Sequence, residues 1–442
     1  MGYSAIIKDK LLSLINEMGQ YRWLFTRNPE KDFSRIKKWS FGEVMRFIIS
    51  MEGKSLKDEL LEHFNFSVDT PTNSSFNQRR AQILPEAFEF LFREFSNITS
   101  GKKLYRGYRL LACDGSTLTT NPNPQDEASY IQQYGPDSKG YNQLHLSALY
   151  DLQNRIYADA IVQPIRQANE NKAMCDMIDR YHGIEKTIFM ADRGYESYNI
   201  FAHIQEKKMF YLIRVKDLLS KGGIVRAMFG RSFSDNDSFD ENRVITLTRK
   251  QTKEVKEHSD QYRFLPSNVH FDFLDLYFQQ FYKMNLRIVR FPLSEDTFEC
   301  IITNLPAEEF TAEDIKELYH MRWGIETAFR ELKYSIGLTH FHSKKIDFIR
   351  QEIWARLVLY NFCEAIATRT VMHQSNRKRI HSYQMNYTRA IHICRFFLSI
   401  RKGVPPDVEF LISRELLPVR PGRSDPRKVK FQSAVSFLYR VA

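Results

Sequence analysis

The sequence predicts an α/β protein: a mixed sheet flanked by helices, with helical regions at both ends and a mostly β insertion. Three observations carry that expectation. Apolar runs of strand length between residues 108 and 162 follow one another through short turns. From 169 to 215 helix-spaced and strand-like segments alternate. Outside this block apolar residues recur every three or four positions, the spacing of a helix face.

Residues 1–103 read as a helical region, with apolar positions at Ile6, Leu11, Leu12 and Ile15, from Phe41 to Ile49 and from Phe88 to Phe95. Within it, capping residues from Thr70 onward precede a polar, basic helix start, as in a helix-turn-helix. That reading offers Asn77, Gln78, Arg79 and Arg80 to DNA. Strands are expected at 108–114, ending at Asp114 before a Gly-Ser-Thr turn, and at 143–150 and 155–162. A helix over 169–181, a buried strand over 187–192, a helix to 208 and a strand over 209–215 follow. Residues 217–299 change character, with Gly- and Ser-rich turns between short β-like runs, and are read as the insertion. Residues 300–370 return to the domain begun at 104, through a long helix capped by Thr311 with Asp314 three residues on. Residues 371–442 form a helical, basic C-terminal region, where Arg420, Arg423, Arg427 and Lys428 are candidate phosphate contacts.

The chain has 442 residues and a net charge of +11, which favours a polyanionic partner. Five cysteines are scattered with no C-x-x-C pair, which argues against a disulfide framework or a zinc site and fits a reducing cytoplasm. The N-terminus carries Lys8, Asp9 and Lys10 inside any apolar core, so it reads as an amphipathic helix and not a signal peptide. No run of 18 apolar residues occurs, so no membrane span is expected.

Chemistry concentrates in the long helix. At 100° per residue Tyr319, Arg322, Glu326 and Lys333 fall within about 60° of one another. Leu318, Met321, Ile325, Phe329, Leu332 and Ile336 form a separate apolar stripe, while Glu317 and Glu331 point away. A solvent-facing helix would carry such charges too; two upstream aspartates tip the balance. Asp114 and Asp192 each sit where an apolar strand meets a glycine-containing turn, from which a carboxylate can project into a cleft. With Glu326 they make three hard oxygen ligands, suited to Mg²⁺ or Mn²⁺. Two such ions about 3.5–4 Å apart would serve an in-line phosphodiester displacement. Asp151 and Asp159 read as turn or solvent-facing acids, Glu196 as a helix N-terminal charge, and His145 as a hydrogen-bonded sheet residue.

The spacing Y-x2-R-x3-E-x6-K, here Tyr319, Arg322, Glu326 and Lys333, resembles the signature of bacterial insertion-sequence DDE transposases of the YREK-signature (insertion sequence four-like) group. Ala-Cys-Asp-Gly-Ser-Thr around Asp114 and Ala-Asp-Arg-Gly-Tyr around Asp192 resemble that family's first and second aspartates. The likeness runs from about 105 to 365. It implies a ribonuclease-H-like catalytic fold, metal-dependent cleavage at the ends of a mobile element, and strand transfer into target DNA. Asp114, Asp192 and Glu326 would hold two ions, with Arg193, Tyr319, Arg322 and Lys333 on DNA phosphates. Partners would be double-stranded DNA with terminal inverted repeats and, in the synaptic complex, a second copy of the chain; the location would be the cytoplasm, with the nucleoid. Residues 217–299 contain no tryptophan; the four are Trp23, Trp39, Trp323 and Trp354. A hydrolytic nuclease of the same fold and a DNA-binding protein without chemistry are the alternatives.

Overall fold

The computed structural model describes residues 2–418 apart from 36–37, 133–139, 219, 230–237, 259–260, 276, 295–296, 375–382 and 401–403. Five helices open the chain: α1 (Tyr3–Gln20), α2 (Phe41–Ser50), α3 (Leu56–His63), α4 (Asn73–Arg80) and α5 (Pro85–Thr99). Local chemistry sets their starts. Ser40, Ser55 and Thr72 cap α2, α3 and α4 by accepting a backbone N–H three residues on, and Ser40 with Glu43 completes a capping box. Pro85 opens α5, where its missing N–H is not needed.

A sheet follows. Strands β1 (Arg109–Thr120), β3 (Tyr141–Asp151) and β4 (Ile156–Pro164) form an antiparallel meander, with the short β2 (Tyr130–Ile131) also on β3. After α6 (Glu170–Arg180), β5 (Thr187–Ala191) lies parallel to β1; after α7 (Tyr198–Glu206), β6 (Phe210–Val215) lies parallel to β5. The order β4-β3-β1-β5-β6 is the ribonuclease-H-like arrangement the resemblance implied. Helix α8 (Ile224–Phe229), β7 (Phe239–Thr248), α9 (Lys253–Glu257), β8 (Tyr262–Phe264) and β9 (Phe281–Ser294) come next. The same sheet runs on through β10 (Thr297–Thr303), which pairs antiparallel with β6 and with β9, and β7 then pairs with β9.

Side chains alternate across β1, so its two faces feed different cores. Leu111 and Cys113 pack with α6, α7 and the inner residues of β5, β6, β7 and β9. Ala112 and Leu118 join the core made by the N-terminal helices and α12 (Ile346–Gln374). Leu110, Ile188, Met190 and Leu212 meet α10 (Ala312–Met321). Thr311 caps α10 in a capping box with Asp314, as its sequence indicates. Beyond α12 lie α13 (Tyr387–Ser399), α14 (Val408–Arg414) and a two-stranded ribbon of β11 (Tyr383–Met385) and β12 (Leu416–Pro418). All five cysteines are free and buried. Among the described residues no helix is long and apolar enough to cross a membrane.

Helix α12 runs through the middle of the helical layer, and several of its polar side chains tie it to neighbouring elements. Asn361 exchanges two 2.9 Å bonds with the backbone of Tyr157 and bonds Ser96, joining β4 to α5. Glu352 meets Arg80 at 2.9 Å and His342 at 3.1 Å, while Arg356 holds the carbonyls of Met51 and Glu52. This corrects the expectation that Arg80 reaches DNA. It is 1% exposed, bonded to Gln351 and the Phe348 carbonyl, and it ties α4 to α12.

Two local corrections bear on chemistry. Strand β1 does not end at Asp114; it continues through Gly-Ser-Thr to Thr120, with Asp114 opposite Ala148 in mid-strand. Gly115 is there for clearance, because a Cβ would lie 2.5 Å from both Glu170 Oε1 and His145 Nε2. Nor is the signature helix continuous. It comprises α10, a tightened turn, α11 (Gly324–Arg330) and a wide π turn over Glu331–Ser335. The N–H groups of Arg322, Trp323 and Ile325 bond three residues back, not four.

Candidate active site

The three acids arrive from three elements. Asp114 projects from the middle of β1, Asp192 directly follows β5, and Glu326 lies in the first turn of α11. Each carboxylate has a local partner. Asp114 Oδ1 accepts the Gly115 N–H at 2.8 Å, and Asp192 Oδ1 accepts the Gly194 N–H at 2.8 Å as the cap of a 3-10 turn. Glu326 Oε1 lies 3.1 Å from Arg322 Nη2.

Electrostatics couple the three. Burial pushes the Asp114 carboxyl up to about 6; the Gly115 N–H and Arg322 pull it down, while the charges of Asp192 and Glu326 push it further up. Three carboxylates thus stand within electrostatic reach, countered by one guanidinium. Among the described residues, however, no three His, Cys, Asp or Glu side chains stand close enough together to hold a metal ion. The donor chemistry suits a hard divalent cation, and the present geometry leaves Glu326 on Arg322 instead.

Arg322 sits at the tight turn between α10 and α11, 4% exposed, with its guanidinium 5.5 Å from the Tyr319 ring centre and 5.3 Å from that of Trp323. The Arg322 Nε and the Tyr319 hydroxyl are buried without a well-formed hydrogen bond. Lys333, displaced by the π turn, donates to the Thr117 carbonyl at 2.9 Å, and burial lowers its pKa. Its ammonium retains two further donors. Arg193 is exposed on the turn that Asp192 caps.

Of the N-terminal candidates, Gln78 is exposed, whereas Asn77 and Arg79 are half-buried. Arg79 bonds Gln82 at 3.0 Å and lies over the Phe33 ring. Arg420, Arg423, Arg427 and Lys428 lie outside the described residues.

Some neighbours of the site were not singled out from the sequence. Glu170, the first residue of α6, pairs with the buried His145 at 2.9 Å, off the line of a good hydrogen bond. Arg214 on β6 meets Glu299 on β10 at 2.9 Å. Burial raises the Glu299 carboxyl, and Arg214, Arg322, Lys316 and His320 oppose that rise, so a basic group continues from Arg322 along β6 and α10. The available signal was Arg214 itself, a cation inside the otherwise apolar Phe210–Val215 strand. Glu196 is not merely a helix-end charge: it accepts the N–H groups of Lys216 and Ile224, at 2.8 and 2.6 Å. Asp151 is fully buried against Arg109 at 2.7 Å, not solvent-facing.

Residues 105–362 match the transposase DDE domain. The chain belongs to that family. Similar proteins include the putative transposase InsL for insertion sequence element IS186A of Escherichia coli strain K12 and the transposase for insertion sequence element IS421 of Escherichia coli. Each is 34% identical over 58 residues. That stretch is 13% of this chain and 16% of either relative, so only about one sixth of the relatives' length is matched. Among solved structures, the piggyBac transposase synaptic complex with hairpin DNA aligns with 96% of this chain and 87% of its own, at 10% identity and a TM-score of 0.47.

Proposed function

We propose that this DDE-domain protein is a cut-and-paste DNA transposase of the YREK-signature insertion-sequence group, which cleaves the ends of its element and joins them to target DNA. The observation that carries the reading is Asp114, a buried carboxyl that faces the charges of Asp192 and Glu326 with a single arginine between them. Around Asp114 the acids outnumber the arginine that opposes them, and divalent cations would balance that excess negative charge. Asp114, Asp192 and Glu326 would hold Mg²⁺ or Mn²⁺. When bound, two such ions supply Lewis-acid stabilisation to the attacking and leaving oxygens of an in-line displacement.

The residues themselves do the rest. Arg322 pairs with Glu326 Oε1 at 3.1 Å, which would leave the other carboxylate oxygen for an ion. The guanidinium, with the Tyr319 hydroxyl beside it, would turn to a phosphate oxygen. Lys333, anchored on β1 three residues from Asp114, presents its remaining donors to the same strand. Arg193 and Arg214 extend the positive surface on either side. A second copy of the chain would hold the other element end.

The deciding experiment uses duplexes bearing the element's terminal repeats, with Mg²⁺ or Mn²⁺. Asp192→Asn should lose cleavage and strand transfer while keeping its fold and its affinity for the ends. Wild-type cutting by Asp192→Asn would remove the assignment. Hydrolysis without joining of pre-cleaved ends would leave a nuclease.

A further inference from the structure

The wide turn over Glu331–Ser335 is anchored on opposite sides of the signature helix. On one side Lys333 donates to the Thr117 carbonyl of β1 at 2.9 Å, three residues from Asp114. On the other is Glu331, which helical spacing turns away from the acids. Its carboxylate accepts the Tyr360 hydroxyl of α12 at 3.0 Å and, through both oxygens, Nη2 of Arg155 at 3.4 Å. Arg155 also bonds Glu364 of α12, at 3.1 and 3.2 Å. Glu331 is therefore tied to the turn between β3 and β4 and to the middle of α12, neither of which carries Asp114, Asp192 or Glu326.

Two backbone features give that tie a purpose. Helical turns closed over five residues instead of four are rare, and many lie at functional sites. Here the Ile336 N–H reaches the Glu331 carbonyl at 3.0 Å, and the Leu338 N–H reaches back six residues to Leu332 at 3.1 Å. Rewinding the turn to bonds four residues apart would rotate Lys333 about the helix axis relative to Glu326 and carry it off Thr117. The second feature is the backbone of Arg155. Its φ of +56° lies in the left-handed region, which glycine adopts freely and other residues at a cost of about 1–2 kcal/mol. The position suits glycine, so arginine contributes there through its guanidinium, which Glu331 and Glu364 share.

We propose that Glu331, fastened by Arg155 and Tyr360, is a positioning residue that keeps the wide turn open and holds Lys333 on β1 beside Asp114. Its effect on the reaction rests on the reading of Lys333 as a phosphate contact; the fastening of the turn does not.

The first test needs neither metal nor DNA. The full chain is acetylated briefly with an amine-reactive ester, and the rate at each lysine is read by peptide mass spectrometry. Lys333, bonded to Thr117, should react slowly in the wild type, with the exposed Lys344 and Lys345 as internal standards. Glu331→Ala, which leaves Arg155 paired with Glu364, should speed acetylation of Lys333 several-fold and leave both standards unchanged. Glu331→Gln, whose amide oxygen still accepts from Tyr360, should fall between the two. A general loosening of the fold would raise every lysine together. The second test is a double-mutant cycle on cleavage of the element's ends. Glu331→Ala should slow cleavage about 10–100-fold. Adding it to Lys333→Ala should slow cleavage no further, because both changes remove one contact. Unchanged acetylation of Lys333 in Glu331→Ala, or losses that multiply in the cycle, would overturn the proposal. So would wild-type cleavage by Glu331→Ala where Asp192→Asn is inactive, a result that spares the catalytic assignment. Wild-type cleavage by Asp192→Asn would remove that assignment instead, and acetylation would then decide the role of the turn.

Discussion

Glu352 and Asp114 are both carboxylates drawn out of water, and burial raises the pKa of each. Glu352 nevertheless ends at about 2, because Arg80, His342 and Arg356 surround it. Asp114 ends at about 6, because it faces one arginine and two further acids. The first cluster is an ionic knot whose charges close among themselves and fasten α4 and α12 together. The second is short of cations in a family whose name is its acids. What separates the two clusters is the balance of charge, not burial.

That contrast can be broken from either end. The largest effect should come from the knot: Glu352→Gln strands Arg80 in the core and should cost about 3–5 kcal/mol in chemical denaturation. Asp114→Asn should act in the opposite direction. Its folded carboxyl keeps a proton up to about pH 6 while the unfolded one releases it near 3.8, so stability falls as pH rises between those values. The amide removes that loss and should gain about 1–3 kcal/mol at neutral pH in metal-free protein, at roughly 1.4 kcal/mol per pKa unit. A gain that persists undiminished in acid would show that ionisation is not its source.

A smaller effect follows from His342, where burial alone would lower the pKa but Glu352 and Glu59 raise it to about 9. The imidazolium therefore stabilises the fold fully below about pH 6.5, its unfolded pKa, and the contribution disappears as pH rises through about 9. Denaturation midpoints measured across that window should fall in the wild type and stay level in His342→Gln. The smallest expected change is in Arg322→Gln, which frees Glu326 and removes a competing charge. Mn²⁺ affinity without DNA, followed by calorimetry, should rise several-fold. A decrease would place Arg322 among the supports of the ion site and not among its rivals.

Much of this was legible in the sequence, and the gaps have physical causes. The strands expected at 143–150, 155–162, 187–192 and 209–215 lie within a residue or two of β3, β4, β5 and β6, because apolar alternation is a local property. Asp114 was misplaced because Gly115 looks like a turn residue, whereas its lack of a side chain serves a contact across the sheet. The break in the signature helix had a signal in Gly324, whose Cβ would lie 2.8 Å from Leu152 Cδ2. Arg80 could have been read as internal, since it lies four residues after the buried Phe76 on the same helix face. The bond from Lys333 to Thr117 spans 216 positions and has no local trace. Nor could composition reveal that Glu326 rests on Arg322, for the spacing alone fits both a resting pair and an open ligand.

The ladder that joins β6 to β10 and β10 to β9 also limits how this protein can move and vary. The segment after β6 shares backbone hydrogen bonds with the strand next to Asp192, so swinging it as a flap would mean tearing a sheet. Lengthening is easier at the far border, where β8 meets β7 over only three residue pairs and β1 and β5 are several rows away. Additions there would enlarge the surface offered to DNA while leaving the spacing of the acids untouched.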